Sequence, residues 1–201
     1  MSTTSRRGFL KQSLGLGVGA AALAAGPWPV FAADRKPGSG MRFGLVTYQW
    51  GADWDLPTLI ANCTKTKVLG VELRTTHAHG VEPSLNDQQR RDVKKRFADS
   101  PVTLVGLGSA VDYHRPEPGA VEKAIETTKA FVKLSHDVGG SGVKVRPNDL
   151  PKGVPPEKTI EQIGKALNVV GAFAADFGQQ IRLEVHGGCA RLPIIKQIMD
   201  I

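Results

Sequence analysis

Short apolar runs alternate with longer segments of helical periodicity from residue 43 to the end of the chain. In the clearest helical segment, apolar side chains recur every three or four residues and form one stripe. The predicted strands are Phe43–Tyr48, Gly70–Arg74, Val102–Gly108, Gly142–Arg146 and Ile181–Val185. The predicted helices are Leu56–Thr66, Asp87–Ala98, Ala120–Asp137, Glu157–Phe177 and Leu192–Asp200. Strand centres lie 26 to 40 residues apart, so the pattern predicts βαβ units and a parallel sheet.

Three of these strands alternate apolar with polar residues. The polar positions are Glu72 and Arg74, Lys144 and Arg146, and Arg182, Glu184 and His186. Because side chains alternate across a strand, the polar groups of each strand should converge on one surface while their apolar neighbours, including Leu183 and Val185, face the helices. A doubly wound α/β sheet has helices on both faces and apolar strands, and no Gly-x-Gly-x-x-Gly follows the first strand. A (β/α)8 TIM barrel with a polar inner face is therefore favoured.

The length of the chain restricts this interpretation. A TIM barrel has eight strands and typically about 250 residues, whereas this chain has 201 residues and five predicted strands. We expect only about five βα units, belonging to a fragment or a truncated product. Open sheet edges beside the first and fifth strands should make the chain poorly stable or prone to associate, for example as a homo-oligomer.

The N-terminus has the features of an export signal. Arg6 and Arg7 precede an apolar run, Leu14–Gly26, that is rich in glycine and alanine, and a cleavage site follows at Ala32. This order predicts a twin-arginine signal peptide over residues 1–32, and a periplasmic or secreted protein. A linker over residues 33–40 and a barrel over residues 41–201 complete the predicted organisation. The apolar run is short compared with the ~20 residues of a membrane-spanning helix, so no stable membrane anchor is expected.

Charge and cysteine content exclude some classes of function. Removing the signal removes three positive charges and lowers the formal net charge from +7 to +4. The remaining charges of both signs are interspersed without a basic stripe, so nucleic acid is not expected as a partner, whereas an anionic small molecule is compatible. Cys63 lies in a predicted helix and Cys189 follows a strand, and we interpret both as ordinary free cysteines.

Several motifs resemble one known family. They are Val71–Arg74 with Thr76–Glu82, Val105–Ser109 with Tyr113 and His114, Leu134–Gly139 followed by Gly142–Asn148, and Ile181–Gly187. With these motifs, the chain from Met41 to Ile201 resembles the xylose isomerase-like TIM-barrel superfamily, the sugar phosphate isomerase/epimerase group. More narrowly, it resembles exported members with a twin-arginine signal.

The resemblance implies a metal-dependent isomerase or epimerase acting on a sugar or polyol-carbonyl compound through an enediolate. In the superfamily a divalent metal (Mn, Mg, Co or Zn) commonly binds a Glu, an Asp, a His and a second Glu from strands five to eight. Glu184 matches the first ligand, and the other three belong to strands that this chain lacks. Because catalytic metal sites need three or more protein ligands, we expect the chain by itself to be inactive and not to retain the metal.

Two other functions remain open at this point. The first is a non-catalytic periplasmic TIM-barrel protein that binds a sugar or an anion. The second is an apurinic endonuclease-like hydrolase, which export and the absence of a basic stripe disfavour.

Candidate site residues follow from the polar positions. Glu184 is the first candidate for a metal ligand and an acid/base, and its alternative is an ion pair with Arg182 or Lys144. His186 could bind substrate oxygens or lie in a surface loop. Lys144 and Arg146 could bind a carboxylate, phosphate or enolate oxygen, or pair with acidic residues of the barrel interior.

The remaining candidates follow the first three strands. By resemblance to the endonuclease branch, His77 and His114 are candidate metal ligands. Glu72 is predicted to be a pocket residue or an arginine partner rather than a ligand. Trp50 could stack against a sugar ring or pack beneath its loop.

Overall fold

The computed structural model describes residues 40–201, in which helices and strands alternate. The strands are β1 (Gly44–Val46), β2 (Gly70–Arg74), β3 (Thr103–Asp112), β4 (Gly142–Arg146) and β5 (Gln180–Leu183). The helices are α1 (Leu56–Thr66), α2 (Asp87–Ala98), α3 (Ala120–Val138), α4 (Pro156–Asp176) and α5 (Leu192–Met199), and a 3₁₀ turn covers Gly187–Cys189. The predicted signal peptide and all of the predicted linker except Gly40 lie outside the described residues.

The five strands form one parallel sheet in the order β1-β2-β3-β4-β5. Each strand pairs with the next one along the chain, so that Leu45 lies opposite Val71 and Lys144 lies opposite Arg182. This order, with a helix after each strand, is that of consecutive βα units in a TIM barrel. The predicted fold class and the five units are thereby confirmed. All carboxyl ends of the strands lie at the same edge of the sheet.

Local signals at the helix ends explain why α1 and α2 have the predicted bounds. Asp55 caps α1 by accepting a hydrogen bond from the Thr58 backbone N–H at 2.9 Å. Interactions with the Thr58 hydroxyl and with this N–H hold the pKa of Asp55 below its ordinary value. Asn86 and Gln89 form a capping box at the start of α2, with hydrogen bonds of 3.0 and 2.9 Å. These caps occupy otherwise unpaired backbone groups and fix where each helix begins.

Strands β2 and β4 have the predicted bounds and the predicted alternation. Val71, Leu73, Val143 and Val145 are fully buried, whereas the polar residues between them are only partly buried. The buried set packs with helix residues such as Leu59, Leu134 and Ile163 into one core. Burying each such side chain contributes roughly 1.5–3 kcal/mol. The core therefore lies between the sheet and the helices and leaves the polar face on the other side.

Strand β3 continues four residues beyond its predicted end. The register with β4 shifts between Gly108 and Asp112, and Ala110 in this stretch adopts a left-handed backbone conformation with φ of 56°. The Ser109 hydroxyl stabilises the irregular stretch by donating to the Lys144 carbonyl at 2.9 Å. The irregularity brings Asp112 opposite Arg146 at the carboxyl edge of the sheet.

Strand β5 is shorter than predicted. It ends at Leu183, although the Glu184 N–H still donates to the Val145 carbonyl at 2.9 Å. The prediction that Val185 faces the helices is wrong, because its side chain is 50% exposed beyond the end of the strand. Leu183 is half-buried and packs against the core.

Both cysteines are buried and free, and burial raises the pKa of each thiol.

Within residues 40–201, no helix combines the length and the apolar character needed to cross a membrane.

Candidate functional site

A cavity of about 280 Å³ lies at the carboxyl edge of the sheet. Its polar and aromatic lining comes from the ends of four strands and the segments that follow them. These residues are Tyr48, Arg74, Lys144, Arg146, Glu184 and His186. The last four of them are residues that the sequence analysis selected. The location is the one that TIM barrels use for their active sites.

Lys144 lies between two carboxylates at the centre of this site. Its Nζ atom is 2.8 Å from Glu72 Oε1 and 3.5 Å from Glu184 Oε2. The Glu72 side chain is 14% exposed and that of Glu184 is 35% exposed. The Glu72 contact lacks hydrogen-bond geometry and acts as a charge–charge attraction. Lys144 thus neutralises the inner glutamate and leaves Glu184 as the carboxylate that faces the cavity.

Gly108 provides the space for the Glu72 carboxylate. A Cβ atom at this position would lie 3.1 Å from Glu72 Oε1 and 3.5 Å from the Arg74 Cα atom. The first distance is tighter than an ordinary Cβ contact and the second is an ordinary van der Waals contact, so glycine at this point of β3 leaves the Glu72 carboxylate its room.

Arg182 points to the same face of the sheet as its register partner Lys144, but it does not line the cavity. Its guanidinium donates to the Val105 carbonyl at 3.0 Å and to the Ser141 hydroxyl at 2.8 Å. These partners lie near the amino ends of β3 and β4. Residues two apart on a strand are separated by roughly 6.6 Å along its axis, and the long arginine side chain extends away from the cavity.

Arg146 has a different acidic partner from Lys144. Its Nη2 atom donates to the Ala110 carbonyl at 2.6 Å and lies 3.8 Å from Asp112 Oδ2. The Asp112 side chain is only 8% exposed and also lies 3.1 Å from His114 Nδ1 and 3.2 Å from Arg115 Nε. Asp112 was not among the predicted site residues, because the apolar pattern of the chain placed the end of β3 at Gly108. The acidic residue shortly after a strand was the one available signal.

His186 is held by the loop that follows β4. Its Nδ1 atom lies 3.1 Å from the side-chain oxygen of Asn148, whose amide nitrogen donates to Asp112 Oδ2 at 3.3 Å. The Cys189 N–H donates to the Asn148 carbonyl at 3.0 Å and joins the two loops through their backbones. This chain of contacts connects β3, β4 and β5 at the rim of the cavity.

Arg74 lines the cavity but was not predicted as a ligand-binding group. Its guanidinium carbon lies 4.5 Å from the centre of the Tyr48 ring, and Nη1 lies 3.5 Å from His77 Nε2. Arg74 stood out only as one of the alternating polar residues, and no feature of the sequence pattern indicated its aromatic partner.

The other predicted residues lie outside the cavity lining. His77 contacts Arg74 and the Thr47 hydroxyl, and His114 lies against Asp112. Trp50 is 78% exposed, and the aromatic ring that lines the cavity is that of Tyr48. His79 is buried between the Arg74 carbonyl and the Val81 N–H, and burial lowers its pKa.

The donor atoms present do not by themselves fit a divalent metal. Among the side chains of residues 40–201, no three histidines, cysteines, aspartates or glutamates form a group that could hold a metal ion. Glu184 offers one carboxylate, and Lys144 lies 3.5 Å from it. A catalytic metal needs three protein ligands or more, so metal binding remains a prediction from the resemblance.

Comparison with solved structures finds similar folds at low sequence identity. A structure of IOLI protein with a zinc atom has a TM-score of 0.61 at 15% identity, with 71% of this chain and 51% of that chain covered. D-psicose 3-epimerase with D-tagatose, from Clostridium cellulolyticum H10, has a TM-score of 0.63 at 17% identity, with coverage of 79% and 60%. The probable 3-DHS dehydratase AsbF from Bacillus anthracis has a TM-score of 0.62 at 14% identity, with coverage of 79% and 59%.

The chain spans 51% to 60% of the length of these three structures. At such identities the likeness concerns the fold alone. No curated protein matches the sequence. The family model of the xylose isomerase-like TIM barrel matches residues 60–201. With this match and five consecutive parallel βα units, the chain belongs to the xylose isomerase-like TIM-barrel family.

Proposed function

We propose that the cavity is the active site, or part of it, of an isomerase or epimerase that moves a proton beside the carbonyl group of a sugar or related polyol. One observation carries the proposal: a partly exposed carboxylate, Glu184, faces the cavity at the end of β5 beside the Lys144 ammonium group. The family match and a solved relative described as a D-psicose 3-epimerase support this reaction class.

In the proposed reaction, Glu184 acts as the base. It takes the proton from the carbon next to the substrate carbonyl, and the electron pair of the broken C–H bond forms the C=C bond of an enediolate. Negative charge then develops on the former carbonyl oxygen. Lys144 and Arg146 line the same cavity and would stabilise that oxygen electrostatically. His186 would bind a substrate hydroxyl.

The proton has two destinations. Return of the proton by Glu184 to the neighbouring carbon, together with transfer of that carbon's hydroxyl proton to the former carbonyl oxygen, moves the carbonyl group and completes an isomerisation. Return to the original carbon from the opposite side requires a second acid, and Glu72 is a poor candidate because Lys144 lies 2.8 Å from it. Among the described residues, Lys144 and His186 line the cavity and could carry such a proton.

The proposal includes three further predictions. They are the binding of a divalent metal, the identity of the substrate and the export of the protein. Glu184 would contribute one oxygen ligand to a Mn, Mg, Co or Zn ion, and no step above passes through that ion. One solved relative, the IOLI protein, is described with a bound zinc atom. The twin-arginine signal predicted over residues 1–32 would place the protein in the periplasm or outside the cell.

The second candidate function is a non-catalytic sugar or anion binder. Its specific support is that Lys144 engages both carboxylates, which lowers the freedom of Glu184 to act as a base. An endonuclease has no such support, since the cavity offers no three-ligand group among the described residues.

The two candidates differ in whether a substrate C–H bond breaks. The test is deuterium incorporation next to the carbonyl of a panel of ketoses and aldoses in D2O, catalysed by the gene product as the cell makes it. Each of the four metals is added in turn. We expect incorporation that falls at least about 100-fold in Glu184→Gln and is unchanged in Glu161→Gln, a control glutamate exposed on α4. Binding of sugars without any incorporation would favour the binder.

A further inference from the structure

Arg74 differs from the other two cations of the cavity. Lys144 has two carboxylates within 3.5 Å, and Arg146 lies 3.8 Å from Asp112. None of the ion pairs formed within residues 40–201 includes Arg74. A partly buried guanidinium without a carboxylate partner is costly unless another group compensates its charge.

The groups around Arg74 orient it but carry no negative charge. Tyr48 stacks under the guanidinium at 4.5 Å, and a stacked arginine retains its in-plane N–H donors for a ligand. The contact of Nη1 with His77 Nε2 is long, at 3.5 Å. Because arginine has no acceptor, the histidine nitrogen must be the acceptor in this contact.

The backbone of Arg74 is fixed from both sides. Its N–H donates to the hydroxyl of the fully buried Thr47 at 2.9 Å. Its carbonyl accepts a hydrogen bond from His79 Nε2, also at 2.9 Å. A guanidinium on a fixed backbone and over a flat ring is preorganised, so that little conformational freedom remains to be lost when a ligand binds.

The charges of the cavity are therefore separated. Around Lys144 and Glu184, two carboxylates oppose one ammonium group, whereas Arg74 provides positive charge on the side of β1 and β2. We propose that Arg74, stacked on Tyr48, binds an oxyanion of the substrate, a carboxylate or a phosphate group. This inference rests on the proposed function for the other end of the ligand, whose carbonyl group would lie near Glu184.

The test compares neutral and anionic probes for binding to the gene product at low salt. The probes are D-fructose, D-glucuronate and fructose 6-phosphate, and dissociation constants are measured by calorimetry. We expect at least one anion to bind at least about 10-fold more tightly than fructose, the usual gain from a charge-assisted bidentate contact. Tighter binding of glucuronate would identify the substrate group as a carboxylate, and tighter binding of the phosphate ester would identify a phosphate.

Variants assign the effect to Arg74. Arg74→Gln should lower the affinity for the anion at least about 10-fold more than the affinity for fructose, and Arg74→Lys should keep part of the preference for the anion. Tyr48→Leu should lower the affinity for the anion less than Arg74→Gln does. Arg91→Gln, on the exposed face of α2, is the control and should have no effect.

Equal binding of neutral and anionic probes, or no binding of either anion, would overturn the inference. So would an Arg74→Gln variant that loses fructose and anion affinity equally. Failure of the proposed function would look different: anion binding that depends on Arg74 would persist, but no deuterium would enter any substrate. Deuterium exchange confined to neutral sugars and insensitive to Arg74→Gln would instead refute only the oxyanion site.

Discussion

The side-chain oxygen of Asn148 lies 3.1 Å from Nδ1 of His186, and this contact determines which nitrogen of the imidazole carries the proton. The amide nitrogen of Asn148 donates to the Asp112 carboxylate. An ionised carboxylate has no proton to donate and acts only as an acceptor. The oxygen of Asn148 must then face His186 and accept from Nδ1–H. A neutral His186 is left with a free lone pair on Nε2.

Removing the Asn148 side chain should remove the preference of His186 for a proton on Nδ1. We expect 15N NMR to show His186 predominantly protonated on Nδ1 in the unaltered protein and shifted towards Nε2 in Asn148→Gly. Glycine is the suitable replacement because Asn148 has a φ of 66°, where alanine would add about 1–2 kcal/mol of backbone strain. An unchanged nitrogen spectrum would show that Asn148 does not fix the tautomer.

The free energy of unfolding should depend on Lys144. Replacing it in Lys144→Met leaves Glu72 and Glu184 close together without a counter-charge, and we expect a loss of about 2 kcal/mol, less than for a fully buried pair. Urea denaturation measures the loss. Lys165→Met is the matched control, since its pair with Glu161 is exposed and should contribute under ~0.5 kcal/mol. Equal effects in the two variants would contradict the interpretation of the Lys144 cluster.

A methyl group in place of the Gly108 hydrogen should disturb the site only by steric hindrance with the Glu72 carboxylate. Gly108→Ala places its Cβ 3.1 Å from Glu72 Oε1, and displacing this carboxylate should cost about 1–3 kcal/mol. Gly171→Ala in α4 is the control, because its Cβ would meet no atom within 4 Å and the helix should gain up to about 1 kcal/mol. Thermal unfolding of the two variants should therefore shift in opposite directions.

Stability at high pH should depend on Tyr113. Burial raises the pKa of its hydroxyl from 10.0 to about 12, although the hydroxyl is paired with that of Thr128 at 2.7 Å. Between these values the unfolded chain loses the Tyr113 proton that the folded chain keeps, so the stability contributed by Tyr113 is fully present below pH 10 and is lost as the pH rises towards 12. The slope should be roughly 1.4 kcal/mol per pH unit. Tyr113→Phe should remove this slope, and urea titrations at pH 9 to 12 would detect it if it persisted.

The donor set within residues 40–201 should bind divalent metal weakly. Glu184 is the one carboxylate that lines the cavity among residues 40–201, and one ligand does not hold a catalytic ion. Dialysis against Mn, Mg, Co or Zn followed by elemental analysis should find far less than one ion per chain. Tight stoichiometric metal would refute this prediction.

Periodicity predicted the elements better than it predicted the site. Helices α1 and α2 and strands β2 and β4 have the predicted bounds, because caps and alternation are local properties of the chain. Asp112 could not be found in this way, since a register shift in β3 carries it to the edge of the sheet. The sequence pattern did not show that Arg182 extends to the amino ends of β3 and β4, because alternation specifies a face of the sheet but not the direction of a long side chain along it.

The sequence by itself determined that a parallel sheet would present polar groups on one face and that Lys144 and Glu184 would lie on it. It did so because side-chain alternation is a property of the extended backbone. Only the tertiary structure decided which of these groups meet. The pairing of Lys144 with both glutamates, the stacking of Arg74 on Tyr48 and the link from Asp112 through Asn148 to His186 join residues from different strands and loops. Such distances depend on strand register and loop conformation, which neighbouring residues in the sequence do not fix.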